Sequence, residues 1–344
     1  MNNFTNTSSL VPALRAATHA TFHKSIVIWV AITLTLTVFG VAANAVILIA
    51  TVKHPPLRRF SSCILLAHCV LIDLLTCIFL EPLVILTPYL GGFVAFPSNY
   101  CRIAGGPIMG SLFLTTWSHA VLAVSRFLAA VFPHQYRHFT RRPVQIAAIF
   151  LPWIIAVTLN AFPIAEWGIR YELGGVWAGC LLGTAADPLR GIIFILGVYI
   201  PCAVIGLSYA IVLIKVKLTV RRVVGDSPGG AGNPSRRSAL RRRYEVAKLL
   251  FLCFIWFCIG NFGVSTAGTY FSKAYAASPL TQLALKGLQY LSPSFNPIFF
   301  ILVSRDYRTG IRAVFGLAYR QRPHEISSRP TKQRANSEVE TGTL

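Results

Sequence analysis

Hydrophobic residues along this chain are gathered into seven long runs that are separated by short polar or basic segments. About 20 apolar residues are enough for one helix to cross a bilayer, and each run reaches that length. The pattern therefore predicts an all-α membrane protein, a seven-transmembrane helix bundle. The predicted crossings are Ser25–Val52, Ser61–Pro88, Cys101–Val131, Val144–Pro163, Gly191–Leu218, Tyr244–Phe271 and Thr281–Val303.

A short amphipathic stretch follows the seventh run. Its apolar residues Tyr307, Ile311, Val314 and Phe315 share one helical face and its arginines lie on the other, which predicts a short eighth helix in the membrane interface. The polar end of the chain is predicted to be disordered. The expected organisation is an extracellular N-terminal tail at 1–24, the bundle at 25–303, the amphipathic helix at 304–319 and a cytoplasmic tail at 320–344.

The segment Ser292–Phe300 interrupts the seventh run with two prolines and an asparagine. Proline removes a backbone donor and leaves the carbonyl one turn back without its partner. In hydrocarbon that carbonyl is costly unless another group satisfies it. Asn296 directly precedes Pro297, and we expect its amide to fill this role. The pattern indicates a helix that can bend, and so a protein that changes shape.

Composition and charge agree with a membrane protein. The chain is 54% hydrophobic and 12% charged, about half the charged fraction of a soluble domain. Its net charge of +21 would suit nucleic acid, but most of its 32 Lys and Arg residues lie in alternate inter-span segments. Cationic loops stay cytoplasmic. We therefore expect no nucleic-acid partner and a multi-pass plasma-membrane protein. We expect its N-terminus outside and its C-terminus inside, with its basic face toward the lipid bilayer and cytosolic proteins.

Features near the predicted outer surface fit this orientation. Asn3 and Asn6 begin glycosylation sequons, which are used only on the lumenal side. Of eight cysteines, only Cys101 and Cys180 lie at or beyond the outer surface, where an oxidising compartment would join them in a disulfide. The alternative is a pair of free thiols.

Five of the polar residues inside the spans could build one pocket, and Asp73 is the only charged one among them. Such oxygen-rich side chains suit a hard cation, so one interpretation is a sodium ion at Asp73, or an exchangeable-water cluster there. The other is a protonated Asp73 in a packing network. No further metal and no other cofactor is expected. The predicted network comprises Asn44, Asp73, Thr115, Ser292 and Asn296.

Charge within a membrane span is rare and usually functional, and three further charged residues are candidates for a role. Glu81 in the second run and Lys286 in the seventh either pair with each other or leave one of them to meet a ligand. Tyr290 lies one turn deeper than Lys286. Arg126 ends the third run; it either reaches the inner surface or exchanges partners between two states. No zinc spacing or phosphate-binding glycine motif appears, so the chain is not expected to be an enzyme.

Several of these residues stand in the order and spacing of a known family. On them the chain resembles a rhodopsin-like (class A) G protein-coupled receptor over nearly its whole length. It looks like a divergent orphan-type member, loosely similar to the moody and melatonin-related branch. The matching positions are Asn44, Asp73, Cys101, Arg126, Trp153, Cys180, Pro201, Tyr209, Phe257, Asn296 and Pro297.

Three family motifs are altered. The Asp-Arg-Tyr triplet reads Ser125-Arg126-Phe127, so the carboxylate that restrains the arginine in the family is missing. The Asn-Pro-x-x-Tyr motif ends at Phe300. In place of the sixth-helix Cys-Trp-x-Pro motif, Asn261 stands at the tryptophan and Gly263 at the proline. The resemblance implies that activation and coupling involve Ser125, Arg126, Phe127, Tyr209, Phe257, Asn261, Pro297 and Phe300.

The resemblance also places a ligand pocket in the outer half of the bundle. Amine receptors carry an aspartate near Ile108 and opsins carry a retinal-binding lysine where Tyr290 falls, so neither ligand is expected. Apolar walls beneath a lysine favour a lipid-like or weakly acidic ligand. The expected ligand-binding residues are Glu81, Ile108, Met109, Leu112, Lys286 and Tyr290.

We therefore expect a receptor that passes the signal of an extracellular ligand to heterotrimeric G proteins by opening the cytoplasmic side of the bundle. Arrestin is a further expected partner. Two alternatives stay open. One is an atypical or scavenger receptor that binds without coupling, and the other, least favoured, is a secondary transporter, which would show paired broken helices in two related halves.

Overall fold

The computed structural model describes residues 7–58, 63–91, 93–173, 179–183, 188–225 and 234–316. Asn3, Asn6 and the predicted tail at 320–344 lie outside these ranges. Most of the described residues are helical. The elements are α1 Thr7–Lys53, α2 Pro55–Arg58, α3 Cys63–Leu75, α4 Glu81–Leu90, α5 Tyr100–Val131, α6 Pro133–Phe139, α7 Arg142–Ile164, β1 Tyr171–Leu173, β2 Cys180–Leu182, α8 Pro188–Phe194, α9 Ile200–Gly225, α10 Pro234–Tyr270, α11 Ser272–Ala277, α12 Pro279–Tyr290, α13 Ser292–Val303 and α14 Arg305–Val314.

Six helical stretches in the described ranges are long and apolar enough to cross a membrane, and they correspond to the first six predicted runs. The seventh run is divided between α12 and α13, and α13 is a shorter apolar helix. The six long stretches are Ala20–Lys53, Cys63–Leu90, Tyr100–Val131, Arg142–Ile164, Pro188–Thr219 and Tyr244–Val264.

The seventh helix breaks earlier than expected, at Leu291 between α12 and α13. Pro293 falls in the first turn of α13, where a proline removes no needed donor. Pro297 lies inside α13, and the carbonyl that it deprives of a partner is that of Pro293. Nδ2 of Asn44 in α1 donates to that carbonyl at 3.1 Å. The expectation that Asn296 would do so was wrong, because a neighbouring helix supplies the donor.

Two membrane-crossing stretches contain a π-helical turn. Thr76–Leu80 joins α3 to α4, and Ile195–Tyr199 joins α8 to α9. Two turns of α-helix take about 7.2 residues, and a π turn adds about one more. Asp73 and Glu81 are eight residues apart, so the first π turn brings them to the same side of the helix.

A small antiparallel hairpin lies at the predicted outer end of the bundle. Tyr171 pairs with Leu182 and Leu173 pairs with Cys180. The predicted disulfide between Cys101 and Cys180 is present, and it fastens β2 to the start of α5. The hairpin therefore has a fixed position relative to the helices.

The predicted amphipathic eighth helix is confirmed as α14. Arg308 Nη1 donates to the carbonyls of Ile301 and Leu302, each at 2.8 Å, and so satisfies backbone acceptors at the end of α13. Tyr307 is only 1% exposed. It belongs to the hydrophobic core at this end of the bundle, together with residues of α1, α3, α5, α9 and α10.

Candidate functional site

A buried carboxylate joins α3 to α13 at the centre of the predicted polar network. Nδ2 of Asn296 donates to Oδ2 of Asp73 at 2.8 Å, and both side chains are buried. The other carboxylate oxygen of Asp73 and the amide oxygen of Asn296, both Oδ1, are buried and accept no hydrogen bond from any described residue. Two such acceptors suit a hard cation or a water molecule, so the residues present fit the predicted ion.

Asn44 approaches this centre from α1. Its Nδ2 donates to the carbonyls of Gly40 at 3.0 Å and Pro293 at 3.1 Å. Pro293 lies three residues before Asn296 in α13. Asn44 therefore holds the backbone that carries Asn296.

Two other predicted members stand outside this bonded set. Thr115 is half-buried and Ser292 is buried, and neither bonds to Asp73 within the described part of the chain. The neighbour of Thr115, Thr116, donates to the carbonyl of Gly197 at 2.7 Å. It thereby links α5 to the second π turn, and the sequence had not indicated this residue.

Glu81 forms a second polar cluster further along the same face. It is 1% exposed. Its Oε2 accepts hydrogen bonds from Thr37 Oγ1 and Ser294 Oγ, each at 2.8 Å, and its Oε1 accepts a weaker one from Cys77 Sγ at 3.6 Å. The carboxylate thus joins α1, α4 and α13.

The pair between Glu81 and Lys286, one of two predicted alternatives, does not form. The ion pairs between described residues are Arg102–Glu166 and Arg170–Glu172, on the predicted outer side. Hydroxyl donors from α1 and α13 take the place that the lysine was expected to fill. Lys286 is buried in α12, at 8% exposure.

The apolar residues predicted to line a ligand pocket lie together. Ile108, Met109 and Leu112 in α5 are half-buried and pack against a hydrophobic cluster that includes Leu182 and Phe257. Tyr290 is half-buried in α12, and its hydroxyl oxygen lies 3.8 Å from the position that a Cβ on Gly179 would take. The outer hairpin therefore reaches from α5 to α12 above these residues.

Tyr171 anchors the hairpin on the other side. Its hydroxyl donates to Oδ1 of Asn160 in α7, and burial raises the pKa of its phenol. A Cβ on Gly105 would lie 2.6 Å from Cγ of Tyr171, so only glycine allows this ring to pack on α5. The hairpin thus contacts α5 and α7, and Gly179 beside β2 lies near Tyr290 of α12.

Arg126 lies at the opposite end of α5, near several aromatic hydroxyls. Those of Tyr209, Tyr136 and Tyr307 are close enough to interact electrostatically with its guanidinium. Ser125, in the place of the family's aspartate, is 1% exposed, and its Oγ makes no hydrogen bond within the described residues. Phe127 packs against a separate cluster formed by α9 and α10.

Phe300 and Tyr307 form an edge-to-face pair with ring centroids 4.9 Å apart. The hydroxyl of Tyr307 lies 3.1 Å from Oγ1 of Thr51 in α1. Phe300 lacks the hydroxyl that the family motif carries, and an aromatic hydroxyl stands beside it on α14 instead. The sequence had indicated Tyr307 only as an apolar position of the amphipathic helix.

Asn261 connects α10 to α12. Its Nδ2 donates to the carbonyl of Phe257 at 3.0 Å, and its Oδ1 accepts from Nε2 of Gln289 at 3.2 Å. Both Phe257 and Asn261 are buried. An amide hydrogen bond therefore replaces the aromatic packing expected of a tryptophan at this position.

Comparisons with known proteins agree with this geometry. A family model described as 7 transmembrane receptor (rhodopsin family) matches residues 43–300. The crystal structure of squid rhodopsin has a TM-score of 0.67 with this chain at 17% identity, and each chain is covered to 85%. At that identity the likeness shows a shared fold.

The curated relatives have low sequence identity to this chain, but the alignments cover most of its length. Galanin receptor 2a of Danio rerio is 23% identical over 296 residues, which is 82% of this chain and 76% of the relative. Protein trapped in endoderm-1 of Drosophila melanogaster is 22% identical and covers 88% and 81% of the two chains. Medium-wave-sensitive opsin 1 of Sciurus carolinensis is 24% identical, with 84% and 77% covered.

Proposed function

This chain belongs to the rhodopsin family of seven-transmembrane receptors, and on that premise we propose that it passes an extracellular signal to heterotrimeric G proteins. It is thus a receptor rather than an enzyme. The observation that carries the proposal is Arg126, held at one end of α5 among the hydroxyls of Tyr209, Tyr136 and Tyr307. Tyrosine hydroxyls are neutral partners, and a charged group can exchange them for another partner at modest cost, so the arginine can turn toward a docked protein.

In this proposal the arginine end of the bundle faces the cytoplasm and the hairpin faces the exterior of the plasma membrane. The basic segments near Arg126 then lie inside, as the positive-inside rule requires. An agonist shifts a two-state bundle toward the form with the open inner side. A G protein helix docks in that opening, and arrestin competes for the same surface.

The ligand in this proposal is lipid-like or weakly acidic. Ile108, Met109 and Leu112 supply an apolar wall, and Lys286 in α12 supplies a cation close to Tyr290. The carboxylate of Glu81 faces α1 and α13, so its role here is to hold the helices on which the pocket rests.

The experiment that tests coupling is a panel of G protein nucleotide-exchange sensors, run in membranes that contain the full receptor and screened with fatty and weakly acidic ligands. We expect at least one ligand to raise exchange on at least one G protein, and Arg126→Ala to abolish the response. Lys24→Ala, an exposed residue at the other end of the bundle, is the matched control and keeps it. A response that survives Arg126→Ala would overturn the proposal.

A sodium ion bound at Asp73 is part of the same proposal. It is supported by the buried Oδ1 atoms of Asp73 and Asn296, which accept no bond from a described residue. Purified receptor should melt at a higher temperature in sodium chloride than in choline chloride of equal ionic strength. Asp73→Asn should remove the difference, because it removes the negative charge. An equal sodium effect in both proteins would contradict the assignment.

The second candidate is a receptor that binds ligand without coupling. The alterations at Ser125, Asn261 and Phe300 favour it, since each replaces a residue through which the family switches between states. Ligand uptake and arrestin recruitment without nucleotide exchange on any G protein would support this candidate over the first.

A further inference from the structure

Two thiols meet between the fifth and sixth membrane-crossing stretches. Cys202 lies in α9 and Cys258 in α10, and their side chains are close enough to interact with each other. Both are free cysteines, Cys202 buried and Cys258 half-buried, and both belong to the same hydrophobic cluster. The disulfide Cys101–Cys180 lies elsewhere, at the hairpin.

The register of the two helices places these thiols opposite each other. One turn to one side, the rings of Tyr199 and Phe262 stack with centroids 5.8 Å apart and planes 9° apart. One turn to the other side, a Cβ on Gly206 would lie 3.4 Å from Cε1 of Phe254. The three facing pairs are spaced three or four residues apart on each helix, so they lie along one face of each helix.

We propose that Cys202 and Cys258 are an oxidation site at which a disulfide cross-links α9 to α10. A disulfide needs Cα atoms within about 6.8 Å, and the contacts Tyr199–Phe262 and Gly206–Phe254, one turn to either side, hold the two helices close together at these thiols. With hydrogen peroxide as oxidant, one sulfur is first oxidised to a sulfenic acid with release of water. The second sulfur then displaces hydroxide, which leaves as water with the thiol proton. Two thiols and one peroxide thus give one disulfide and two waters.

The cross-link would restrain the switch itself, and this part rests on the proposed function. α9 carries Tyr209, whose hydroxyl lies near Arg126, and α10 leads from the basic segment before Tyr244 into the bundle. Opening of the inner side requires α10 to move relative to α9. A covalent bond between them holds the spacing seen here, so oxidation lowers signalling.

The chemical step can be read without any signalling assay. Membranes with the full receptor are treated with peroxide, blocked with N-ethylmaleimide and digested with trypsin, which cuts at the arginines between Lys217 and Tyr244. The C-terminal part then has only Cys253 and Cys258, and Cys101–Cys180 lies wholly in the N-terminal part. A band that joins the two parts on a non-reducing gel therefore reports a new disulfide, and mass spectrometry of the joined peptides identifies its cysteines.

We expect the joined band in the wild type and in Cys253→Ser, a matched control on the same helix. It should be absent in Cys202→Ala and Cys258→Ala and after reduction. Absence of the band in folded wild-type receptor, or its persistence in Cys258→Ala, would overturn the site. Ligand binding or an unchanged melting temperature establishes that each variant is folded.

The regulatory part has its own readout. Peroxide should lower receptor-stimulated nucleotide exchange about fivefold in the wild type. The loss should reverse on reduction and be absent in Cys258→Ala. A joined band with unchanged exchange would overturn the restraint while leaving the oxidation site standing. If no G protein responds to any ligand, the proposed function fails, yet the gel still decides the oxidation site.

Discussion

At the scale of single residues, Phe300 has no hydroxyl, and the neighbouring Tyr307 supplies one. That hydroxyl bonds to Thr51, which is itself 1% exposed and donates to the carbonyl of Ile47 at 2.7 Å. α14 is therefore tied to α1 by a buried polar contact as well as by packing. The pair offers a direct test of how firmly α14 is held.

Tyr307→Phe and Thr51→Val should each lower the stability of the receptor by about 1 kcal/mol, the usual net value of a buried hydrogen bond. The double variant should lose little more than either single variant, because both remove the same bond. The melting temperature of receptor in detergent measures this. Fully additive losses would mean that the two hydroxyls do not act on each other.

Glu81 offers a second test at this scale. Glu81→Ala leaves the hydroxyls of Thr37 and Ser294 without their shared acceptor, and it should cost about 2 kcal/mol of stability. Glu81→Gln keeps one amide oxygen in place and should cost less than half as much. Equal melting temperatures for the alanine and glutamine variants would show that the hydroxyls find other acceptors.

At the scale of elements, α1 and α13 approach each other closely at Gly40. A Cβ there would collide with Ser294. Ser294 cannot yield easily, since its hydroxyl is bonded to Glu81. Small residues allow such close contact between helices in membranes.

Gly40→Ala should therefore destabilise the receptor by about 1–3 kcal/mol, the range found for overpacked cores. Gly191→Ala is the matched control, since nothing lies within 4 Å of the added Cβ, and its melting temperature should be unchanged or slightly higher. A harmless Gly40→Ala would mean that α13 shifts away from α1 without cost.

The elements also show what the sequence can and cannot predict. The length of the hydrophobic runs was enough to predict seven crossings, and the amphipathic spacing was enough to predict α14. The break at Leu291 was missed because it depends on Pro293 taking a first-turn position. The partner of the Pro293 carbonyl was missed because Asn44 is distant in sequence. Local pattern indicates which groups need partners, but packing of distant helices decides which partner each group finds.

At the scale of the whole molecule, the alteration at Ser125 bears on the balance between resting and active states. A family receptor restrains its arginine with the carboxylate of the preceding residue, and here that residue is Ser125, which has no charge. The resting state is then less favoured, and signalling without agonist should be raised.

Ser125→Asp should restore the restraint and lower agonist-independent nucleotide exchange about fivefold, which corresponds to about 1 kcal/mol. Ser125→Asn, of similar size but uncharged, separates the charge from the change in volume and should have a smaller effect. Unchanged exchange in Ser125→Asp, with normal surface expression, would contradict this account.

The position of the outer hairpin limits the routes by which a bound ligand can leave. The hairpin is fastened to α5 by a disulfide, to α7 through Tyr171, and it reaches Tyr290 on α12. A molecule bound beneath the hairpin must leave either past the edge of the hairpin or laterally between two helices. Departure should then be slow, with long residence times, so that short incubations will understate how tightly a compound binds.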